Sequence, residues 1–432
     1  MSIINGAIPD VGKQLLALLF CAVMFFLTAC GEAPARPTFT AGSPPSPLPE
    51  KTGLRVAVAS DIHLNPDGGS GESAAANYST ELVDALLWDA KQQGADLLLL
   101  TGDLVSDGKA YRHEALIEKL RKAEETGLSV CVLPGNHDLA PIGQTEFAAL
   151  YSAFGYDDAY SRDPASLSYC IERGGLLLLM MDCGGYSADS VDLPGASAHA
   201  DKVAAFSGET LAWAEGMLQT ARNKGLRVLA AGHYNLLTQT ARDMEHSGYY
   251  VQNGERFAAL LRSYGVPLYL SGHIHLRAVY QEDGLTELVT EYLLGYPTGY
   301  CVLDITEDEI RYTPRRIDVD AWAESAGAED PKLRHFSAWQ EEGLWRYARE
   351  NVAYMAERNP ITEREASQAT LFYYEAITAF WQGNMPEQRE TLKKHSGYRP
   401  FFKCAKGYAY EWWLRDLIEN ASPLLRGFTL RW

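Results

Sequence analysis

The 432-residue sequence predicts an α/β domain that is followed by a smaller, all-helical domain. Continuous apolar runs typical of strands buried on both faces, such as 96–101 and 176–181, alternate with segments of helical periodicity. Asp, Asn and His residues follow these runs, at the strand ends where α/β proteins gather ligands. Residues 320–432 hold seven of the nine tryptophans and show helical spacing, which indicates the change of domain.

The elements of the first domain can be placed in chain order. Apolar runs predict strands at 54–60, 96–101, 128–133, 176–181, 226–231 and 266–271. Helical patterns predict helices at 78–93, 111–126 and 253–264. A further helix is expected after Ser207, a suitable N-cap. Short strands at 286–291, 299–304 and 309–313, separated by Gly and Pro, predict an antiparallel extension of a second sheet.

The C-terminal part reads as a helical accessory domain over 318–432. Its predicted helices cover 332–358, 362–382, 386–395 and 402–421. Thr362 and Glu365 are spaced as a capping box. The many aromatic residues either fill the core and the interface with the first domain or form a platform for a glycan or lipid. Core filling is the favoured interpretation.

The N-terminal residues predict export and a lipid anchor. Residues 14–29 form an uncharged apolar run shorter than the roughly 20 residues that span a bilayer. Leu27-Thr28-Ala29-Cys30 resembles a bacterial lipobox, so 1–29 are interpreted as a signal peptide and Cys30 as the lipidated residue. Residues 30–52 are rich in Pro and Ser and form a tether. The protein is therefore expected on the extracytoplasmic side of a bacterial cell membrane; an ordinary signal peptide or short anchor is the alternative.

Charge and cysteine content exclude some functions. The net charge of −18 argues against a nucleic acid polymer as a partner. The five cysteines after Cys30 are widely spaced and predict no disulfide framework, although a pair between Cys170 and Cys183 stays open.

Five short blocks carry the residues from which chemistry is expected. Carboxylate, amide and imidazole groups bind divalent metals such as Mn, Fe or Zn. Two such metals held close together are a device for attack on phosphorus. The blocks are Asp61-Ile62-His63, Gly102-Asp103, Gly135-Asn136-His137-Asp138, Gly232-His233 and Gly272-His273-Ile274-His275.

In this order the blocks resemble the calcineurin-like metallophosphoesterase family, and within it the class III cyclic nucleotide phosphodiesterases. The resemblance covers 54–316 and implies a four-layer αββα sandwich of two mixed sheets over 53–317. It implies two divalent metal ions that share Asp103 as a bridge. The implied ligands of the first ion are Asp61, His63, Asp103 and His275, and those of the second are Asp103, Asn136, His233 and His273.

The expected activity is hydrolysis of a small phosphodiester, such as a cyclic nucleotide, by a metal-bound hydroxide. His137 is the expected general acid, and Asp138 is expected to orient its ring or raise its pKa. The alternatives are a phosphomonoesterase, a hydrolase of lipid or cell-wall phosphates, or a non-catalytic surface binding protein, whose expected mark would be a missing ligand. Specificity is expected in loops 140–170, 184–206 and 234–252, and Tyr156, Tyr160, Tyr234 and Asn235 are candidates for shaping the pocket. The remaining histidines, among them His113, are interpreted as surface or structural.

Overall fold

The computed structural model describes residues 47–69, 73–183, 204–237 and 250–432. The predicted signal peptide, Cys30 and most of the tether lie outside the described residues. Most of the predicted specificity loops 184–206 and 234–252 also lie outside them. Within the described part of the chain, no helix is long and apolar enough to cross a membrane.

Thirteen strands lie in the described residues. They are β1 (Leu54–Ala59), β2 (Leu97–Thr101), β3 (Ser129–Leu133), β4 (Ser161–Arg162), β5 (Tyr169–Arg173), β6 (Leu176–Met181), β7 (Arg227–Gly232), β8 (Leu268–Ser271), β9 (Ala278–Glu282), β10 (Leu285–Val289), β11 (Gly299–Ile305), β12 (Glu309–Arg316) and β13 (Phe428–Arg431). Every residue of β2 and β6 is buried, as their continuous apolar runs predict.

Twelve α-helices accompany these strands in the described ranges. They are α1 (Ser79–Gln92), α2 (Ala110–Glu125), α3 (Gly143–Leu150), α4 (Gly208–Lys224), α5 (Gly254–Ser263), α6 (Val319–Ser325), α7 (Pro331–Arg334), α8 (Phe336–Arg358), α9 (Glu363–Trp381), α10 (Met385–Lys394), α11 (Tyr398–Cys404) and α12 (Ala409–Asn420). The predicted Ser207 cap is formed, because its side chain accepts a hydrogen bond from the backbone of Thr210 at 3.0 Å.

The strands form two mixed sheets. The first has the order β13-β12-β11-β1-β2-β3, with β1, β2 and β3 parallel and β11 antiparallel to β1. The second has the order β4-β5-β6-β7-β8-β10-β9, with β6, β7, β8 and β10 parallel. The predicted α/β class with two mixed sheets is therefore confirmed.

The side chains of β6 show how the layers stack. Leu178 and Met180 belong to the core shared with the first sheet, whereas Leu177, Leu179 and Met181 pack with α4 and α5 on the other face. This alternation is the period of two that a strand imposes on its side chains. It buries the second sheet on both faces and leaves the strand ends as the place for polar loops.

One part of the predicted topology is wrong. The segments 299–304 and 309–313 were expected to extend the second sheet, but β11 and β12 join the first sheet beside β1. All seven residues of β11 are buried, so this strand needs cover on both faces and neighbours on both edges. The position between β1 and β12 supplies both, while the hairpin of β9 and β10 occupies the end of the second sheet.

The C-terminal helical region is confirmed, and its aromatic residues fill its core. Phe372, Tyr373 and Phe401 are fully buried, and the capping box of Thr362 and Glu365 is formed. The chain does not stay helical to residue 432, because β13 pairs antiparallel with β12. The five cysteines in the described residues are buried and free, so Cys170 and Cys183 form no disulfide.

Candidate metal centre

The five sequence blocks meet at one edge of the two sheets. Three follow parallel strands of the first sheet, namely β1, β2 and β3, and two follow β7 and β8 of the second. Backbone hydrogen bonds link the loops: Asp61 N donates to Gly102 O at 3.0 Å, and Gly272 N donates to His233 O at 2.9 Å. The fold therefore brings together residues that are more than 200 positions apart.

Glycine in the blocks permits this close approach. A Cβ atom at Gly135 would collide with the backbone and carboxylate of Asp103. A Cβ atom at Gly272 would collide with the Ser60 hydroxyl and the carboxylate of Asp61. These two glycines are thus needed because the carboxylates of neighbouring loops lie directly against the backbone.

The backbone of the candidate ligands adopts a costly conformation. Only six non-glycine residues in the described part of the chain have positive φ, and five of them are candidate ligands. Such left-handed residues cost of order 1–3 kcal/mol each and persist where the surrounding structure holds them in place, commonly at functional sites. The five are Asp61 (51°), His63 (40°), Asp103 (50°), His273 (70°) and His275 (59°).

Asp103 lies at the centre of the cluster. Its Oδ1 accepts a hydrogen bond from the backbone of His137 at 2.9 Å, and its Oδ2 faces imidazole rings. Oδ2 lies 3.4 Å from Nε2 of His233 and 3.5 Å from Nε2 of His63. The side chain of Asp103 therefore belongs to both of two groups of potential ligands, whose ligand atoms lie within 4.8 Å of one another in each group.

The first group comprises Asp61, His63, Asp103 and His275. Asp61 Oδ2 accepts a hydrogen bond from the backbone of His273 at 2.9 Å, and Oδ1 lies 3.5 Å from Nε2 of His275. The Nε2 atoms of His63 and His275 are 3.3 Å apart. Two ring nitrogens and two carboxylate oxygens thus point at a common centre.

The second group comprises Asp103, His233 and His273. The Nδ1 atom of His233 lies 2.9 Å from the carbonyl oxygen of Thr101. A carbonyl oxygen only accepts, so Nδ1 carries the proton and Nε2 is directed into the cluster. The amide oxygen of Asn136 lies 3.2 Å from this Nε2 atom and completes the set of residues expected from the sequence.

Burial controls the charge of these groups. It lowers the pKa of His63 to about 4 and that of His273 to about 3, because a buried imidazolium loses hydration. Burial has the same tendency at His233, but the charge of Asp103 outweighs it and raises the pKa to about 9. Burial tends to raise the pKa of Asp61, but its interactions with His275 and His233 outweigh this and lower it to about 2.

Sequence comparison identifies the catalytic domain. Residues 54–277 match the family model described as calcineurin-like phosphoesterase. The chain belongs to the calcineurin-like phosphoesterase family. Residues 318–421 match a second model, the C-terminal domain of cyclic nucleotide phosphodiesterase. Membership in this family agrees with the metal-dependent hydrolysis of phosphoric esters that the five blocks predict.

Individual relatives resemble the chain over only part of its length or at low sequence identity. A protein of Synechococcus sp. named as a probable cyclic nucleotide phosphodiesterase is 34% identical over 85 residues, which is 20% of this chain and 31% of that protein. A dimetal phosphatase from Danio rerio aligns over 61% of this chain and 96% of its own, with a TM-score of 0.47 and 16% identity. A purple acid phosphatase from yellow lupin aligns over 62% of this chain and 52% of its own, with a TM-score of 0.41 and 12% identity.

The residues of this calcineurin-like phosphoesterase fit divalent metals. Asp61 is 0% and Asp103 1% exposed, and among the described residues no lysine or arginine pairs with either carboxylate. Buried carboxylates of this kind need a cation. Ligands about 2.0–2.2 Å from one metal are roughly 3.0–3.5 Å from each other. The separations of 3.3 Å between His63 and His275 and 3.4 Å between Asp103 and His233 lie in that range.

His137 occupies the open side of the centre. Its side chain is 45% exposed, and Nε2 lies 4.0 Å from Asp103 Oδ2. Its Nδ1 atom lies 2.9 Å from the carbonyl oxygen of Ser106 and must therefore carry a proton. The ring is thus held by a backbone carbonyl, with the other nitrogen directed toward the space where a substrate would meet the metals.

The contact expected between Asp138 and the His137 ring is not formed. Asp138 is fully buried, and its carboxylate accepts hydrogen bonds from three backbone N–H groups: Leu104 at 3.1 Å, Val105 at 3.0 Å and Gly135 at 2.7 Å. These bonds tie the loop after β2 to the loop after β3. Asp138 is therefore a positioning residue for the loops, because all its described bonds satisfy backbone donors.

Several neighbours of the centre could not be inferred from the blocks. The ring of Tyr292 stacks on His275 with centroids 4.5 Å apart, although no spacing links this residue to a block. His113, expected to be surface or structural, is fully buried and lies 3.1 Å from the carbonyl oxygen of Asp138. His113 lies in a helix with a charged sequence pattern, which predicts exposure. Its burial depends on the loop of Asp138, which packs against it.

The four candidates for shaping the pocket lie elsewhere or pack behind the centre. Tyr234 is 8% exposed, and its ring centroid lies 4.2 Å from that of His273. Asn235 is buried and donates a hydrogen bond to the Ser271 hydroxyl at 3.1 Å. Tyr156 packs against Tyr169 in the core, and the exposed Tyr160 contacts the ammonium group of Lys224. Their contacts are those of loop packing.

Proposed function

We propose that this calcineurin-like phosphoesterase hydrolyses a small phosphodiester of the cyclic nucleotide class. The observation that carries the proposal is the pairing of two matches in one chain. A metallophosphoesterase domain is followed by a segment similar to the C-terminal domain of cyclic nucleotide phosphodiesterase, over 318–421. The relative from Synechococcus sp. supports the same substrate class.

The side chains supply the parts that such a hydrolysis needs. Asp61, His63, Asp103 and His275 would hold one divalent metal, and Asp103, Asn136, His233 and His273 a second. When bound, the two ions would provide an activated water and neutralise charge on the phosphoryl oxygens. Mn, Fe and Zn all suit this set of oxygen and nitrogen ligands.

His137 is proposed to donate the proton that the leaving alkoxide needs. Its side chain is 45% exposed, and the carbonyl oxygen of Ser106 orients the ring. A sugar alkoxide leaves poorly without a proton, so positioned acid catalysis contributes most for such substrates. The remaining site residues bind and orient, and none is required to form a covalent bond to phosphorus.

The charge balance at Arg112, a cation of the described residues near the centre, favours a diester over a monoester. A monoester carries a second negative charge that an additional cation would stabilise. Arg112 lies beside the loop of His137, but it is 7% exposed and is engaged by Asp67 and Asp107, each at 2.9 Å. Its guanidinium group is therefore already neutralised.

We also propose that the protein is exported and anchored to the outer face of a bacterial membrane through a lipid on Cys30. The support is the lipobox-like segment Leu27–Cys30 and the tether rich in Pro and Ser that follows it. Expression in a bacterium with and without Cys30→Ser tests this. Wild-type protein in the membrane fraction, with a lipidated N-terminus by mass spectrometry, is expected. Equal amounts of the variant in that fraction would contradict the proposal.

Hydrolysis assays test the substrate class. The full-length protein in mild detergent is loaded with Mn²⁺, and bis-p-nitrophenyl phosphate is compared with p-nitrophenyl phosphate, followed by 3′,5′-cyclic nucleotides. Faster turnover of the diester, abolished by a chelator and by Asp103→Asn, is expected. Faster turnover of the monoester would instead favour a phosphomonoesterase. Absence of turnover with Mn²⁺, Fe²⁺ and Zn²⁺ would favour a binding protein.

A further inference from the structure

The segment between β10 and β11, residues 290–298, carries the chain from the second sheet to the first and is called the crossover loop below. It passes behind the first group of metal ligands. At its other end it contacts the C-terminal helical region. No sequence block lies in it, and the mechanism described above does not use it.

Tyr292 is the part of the crossover loop that contacts the ligands. Its ring is nearly parallel to that of His275, with an interplanar angle of 11° and centroids 4.5 Å apart. It also meets the ring of His63 edge to face, with centroids 5.4 Å apart. Since the residue is only 4% exposed, the tyrosine ring forms a wall behind both imidazoles. This contact limits the tilt of two ligands that belong to the same metal group.

Two further contacts hold the loop against the same group. The backbone of Leu293 donates to the carbonyl oxygen of Asp61 at 3.3 Å. Arg277, two residues after His275, donates from Nε to the buried carboxylate of Glu291 at 3.0 Å. Asp61 and His275 are thus tied to the crossover loop through their own chain segments.

The other end of the loop is held by one side chain of the helical region. Gln340 in α8 donates from Nε2 to the carbonyl oxygen of Gly295 at 2.9 Å and to the hydroxyl of Thr298 at 2.7 Å. Thr298 is buried, and its hydroxyl lies 3.2 Å from the same carbonyl oxygen. One amide therefore clamps two points of the loop, three and six residues after Tyr292.

The second metal group is held mainly by other contacts in the described residues. His233 is held by the carbonyl oxygen of Thr101, and His273 packs against Tyr234. Asn136 lies in the loop after β3, which Asp138 stabilises. The side-chain contacts named above involve neither the crossover loop nor the helical region. The backbone does connect to the loop, since Thr290 N donates to Ser271 O at 2.8 Å, two residues before His273.

We propose that the C-terminal helical region, through Gln340 and the crossover loop, positions Tyr292 behind His63 and His275 and so determines the affinity of the first of the two metal sites. Gln340 and Tyr292 are positioning residues. The accessory region is then part of the metal centre, and its influence is greatest at the ion whose ligands Tyr292 contacts. Metal binding is measured without substrate, so this proposal does not depend on whether the substrate is a diester.

The test is a metal titration of the full-length protein. Apo-protein of the wild type, Gln340→Met and Gln340→Glu is titrated with Mn²⁺ and with Zn²⁺ by calorimetry, and metal content is measured after equilibrium dialysis. Gln340→Met retains the length of the side chain but loses both hydrogen bonds. Gln340→Glu places a carboxylate against the carbonyl oxygen of Gly295. The matched control is Glu350→Met, an exposed position on the same helix.

We expect one of the two metal affinities to fall about tenfold or more in both Gln340 variants, while the other stays within about twofold of the wild type. The control should behave as the wild type. Two unchanged affinities, or an equal loss of both, would overturn the proposal. Near-ultraviolet circular dichroism and thermal unfolding show whether a variant is folded.

A second variant acts at the loop itself. Tyr292→Leu keeps an apolar side chain but removes the ring that stacks on His275. It should reproduce the selective loss of one metal affinity even if the Gln340 variants prove unstable. If folded Tyr292→Leu binds both metals as the wild type does, the ring does not position the ligands and the inference fails.

Discussion

The strand-end edge of the catalytic domain and the C-terminal helical region are stabilised in opposite ways. At the edge, carboxylates are buried and five residues adopt positive φ angles, and both features cost free energy of folding. In the helical region, buried aromatic rings, a capping box and helical periodicity all favour the same structure. The first region is built for ligands and the second for packing.

This contrast shows where function lies in the molecule. A region in which local preference and packing agree contributes to the stability of the folded state. A region that violates local preference, at five left-handed ligand residues, must be held by the rest of the protein and by the metals that it binds. Apart from Gln340, which connects the two regions, substitutions in the two regions should therefore affect different measurements.

The largest effect is expected at Asp103, which both ligand groups share. Asp103→Asn keeps the shape but removes the charge that both metals need. We expect loss of both metals and a fall in turnover of at least about 1000-fold, a typical magnitude for removing a central electrostatic element. Metal analysis and diester hydrolysis check this. Retention of both metals by the variant would contradict the bridging role.

In the helical region the large effect should be on stability. Phe372 is fully buried and contacts Tyr398, Phe401 and Phe402, with ring centroids 5.5 to 6.0 Å apart. Phe372→Ala should lower the free energy of unfolding by about 3–5 kcal/mol. Urea denaturation measures this, with the 43% exposed Trp412→Ala as control. The metal stoichiometry of the folded variant should stay at the wild-type value. Loss of metal would show that packing in the helical region also supports the metal centre.

The sequence predicts the ligand blocks and the helices, but not how the strands and side chains pack around them. The candidate ligands can be located because each block follows an apolar run, and their assignment to two ions comes from the family resemblance. The helices can be predicted from their period. The sheet that β11 joins is not readable, since a fully buried strand fits several positions. Tyr292 and Gln340 escape notice because their contacts with His275 and Gly295 arise only after two sheets and a helical region have packed. The bonds of Asp138 are hidden for the same reason, because its backbone partners lie in a loop 34 positions away.

Beneath the edge, His113 should make stability depend on pH. Burial lowers its pKa to about 4, although the carbonyl of Asp138 opposes this shift. Nε2 donates to that carbonyl, and Nδ1 accepts from the Tyr151 hydroxyl at 2.8 Å, so the neutral ring satisfies both partners. The unfolded chain takes up a proton below about pH 6.5 and the folded chain only near pH 4. Stability is therefore full above pH 6.5 and falls by up to roughly 3 kcal/mol toward pH 4.

Urea denaturation at pH 7.5 and pH 5.0 measures this dependence. His113→Gln should be less stable than the wild type at pH 7.5, but it should lose less stability on acidification. An identical loss in both proteins would show that other groups, such as the histidines of the metal centre, account for the whole dependence.

On the open side of the edge, His137 should affect chemistry and leave stability unchanged. Its side chain is 45% exposed, so His137→Gln should alter the free energy of unfolding by less than about 0.5 kcal/mol. Turnover of a diester with an alkoxide leaving group should fall about 100-fold, while p-nitrophenyl esters, which need no proton, should be affected far less. Equal losses for both leaving groups would contradict a role as acid.

The smallest effect is expected one step behind His137, at Arg112. Its guanidinium group donates to the Ser106 hydroxyl and pairs with Asp107 at 2.9 Å. The backbone carbonyl oxygen of the same Ser106 accepts a hydrogen bond from Nδ1 of His137 at 2.9 Å. Arg112→Met should loosen this loop and slow the alkoxide diester about tenfold, because a displaced acid still protonates part of the time. The p-nitrophenyl diester and the metal stoichiometry should change less than twofold. The double variant with His137→Gln decides the matter: if Arg112 acts through His137, Arg112→Met should add no further loss once the ring is gone. An additive tenfold loss would instead mean that Arg112 supports the edge by another route.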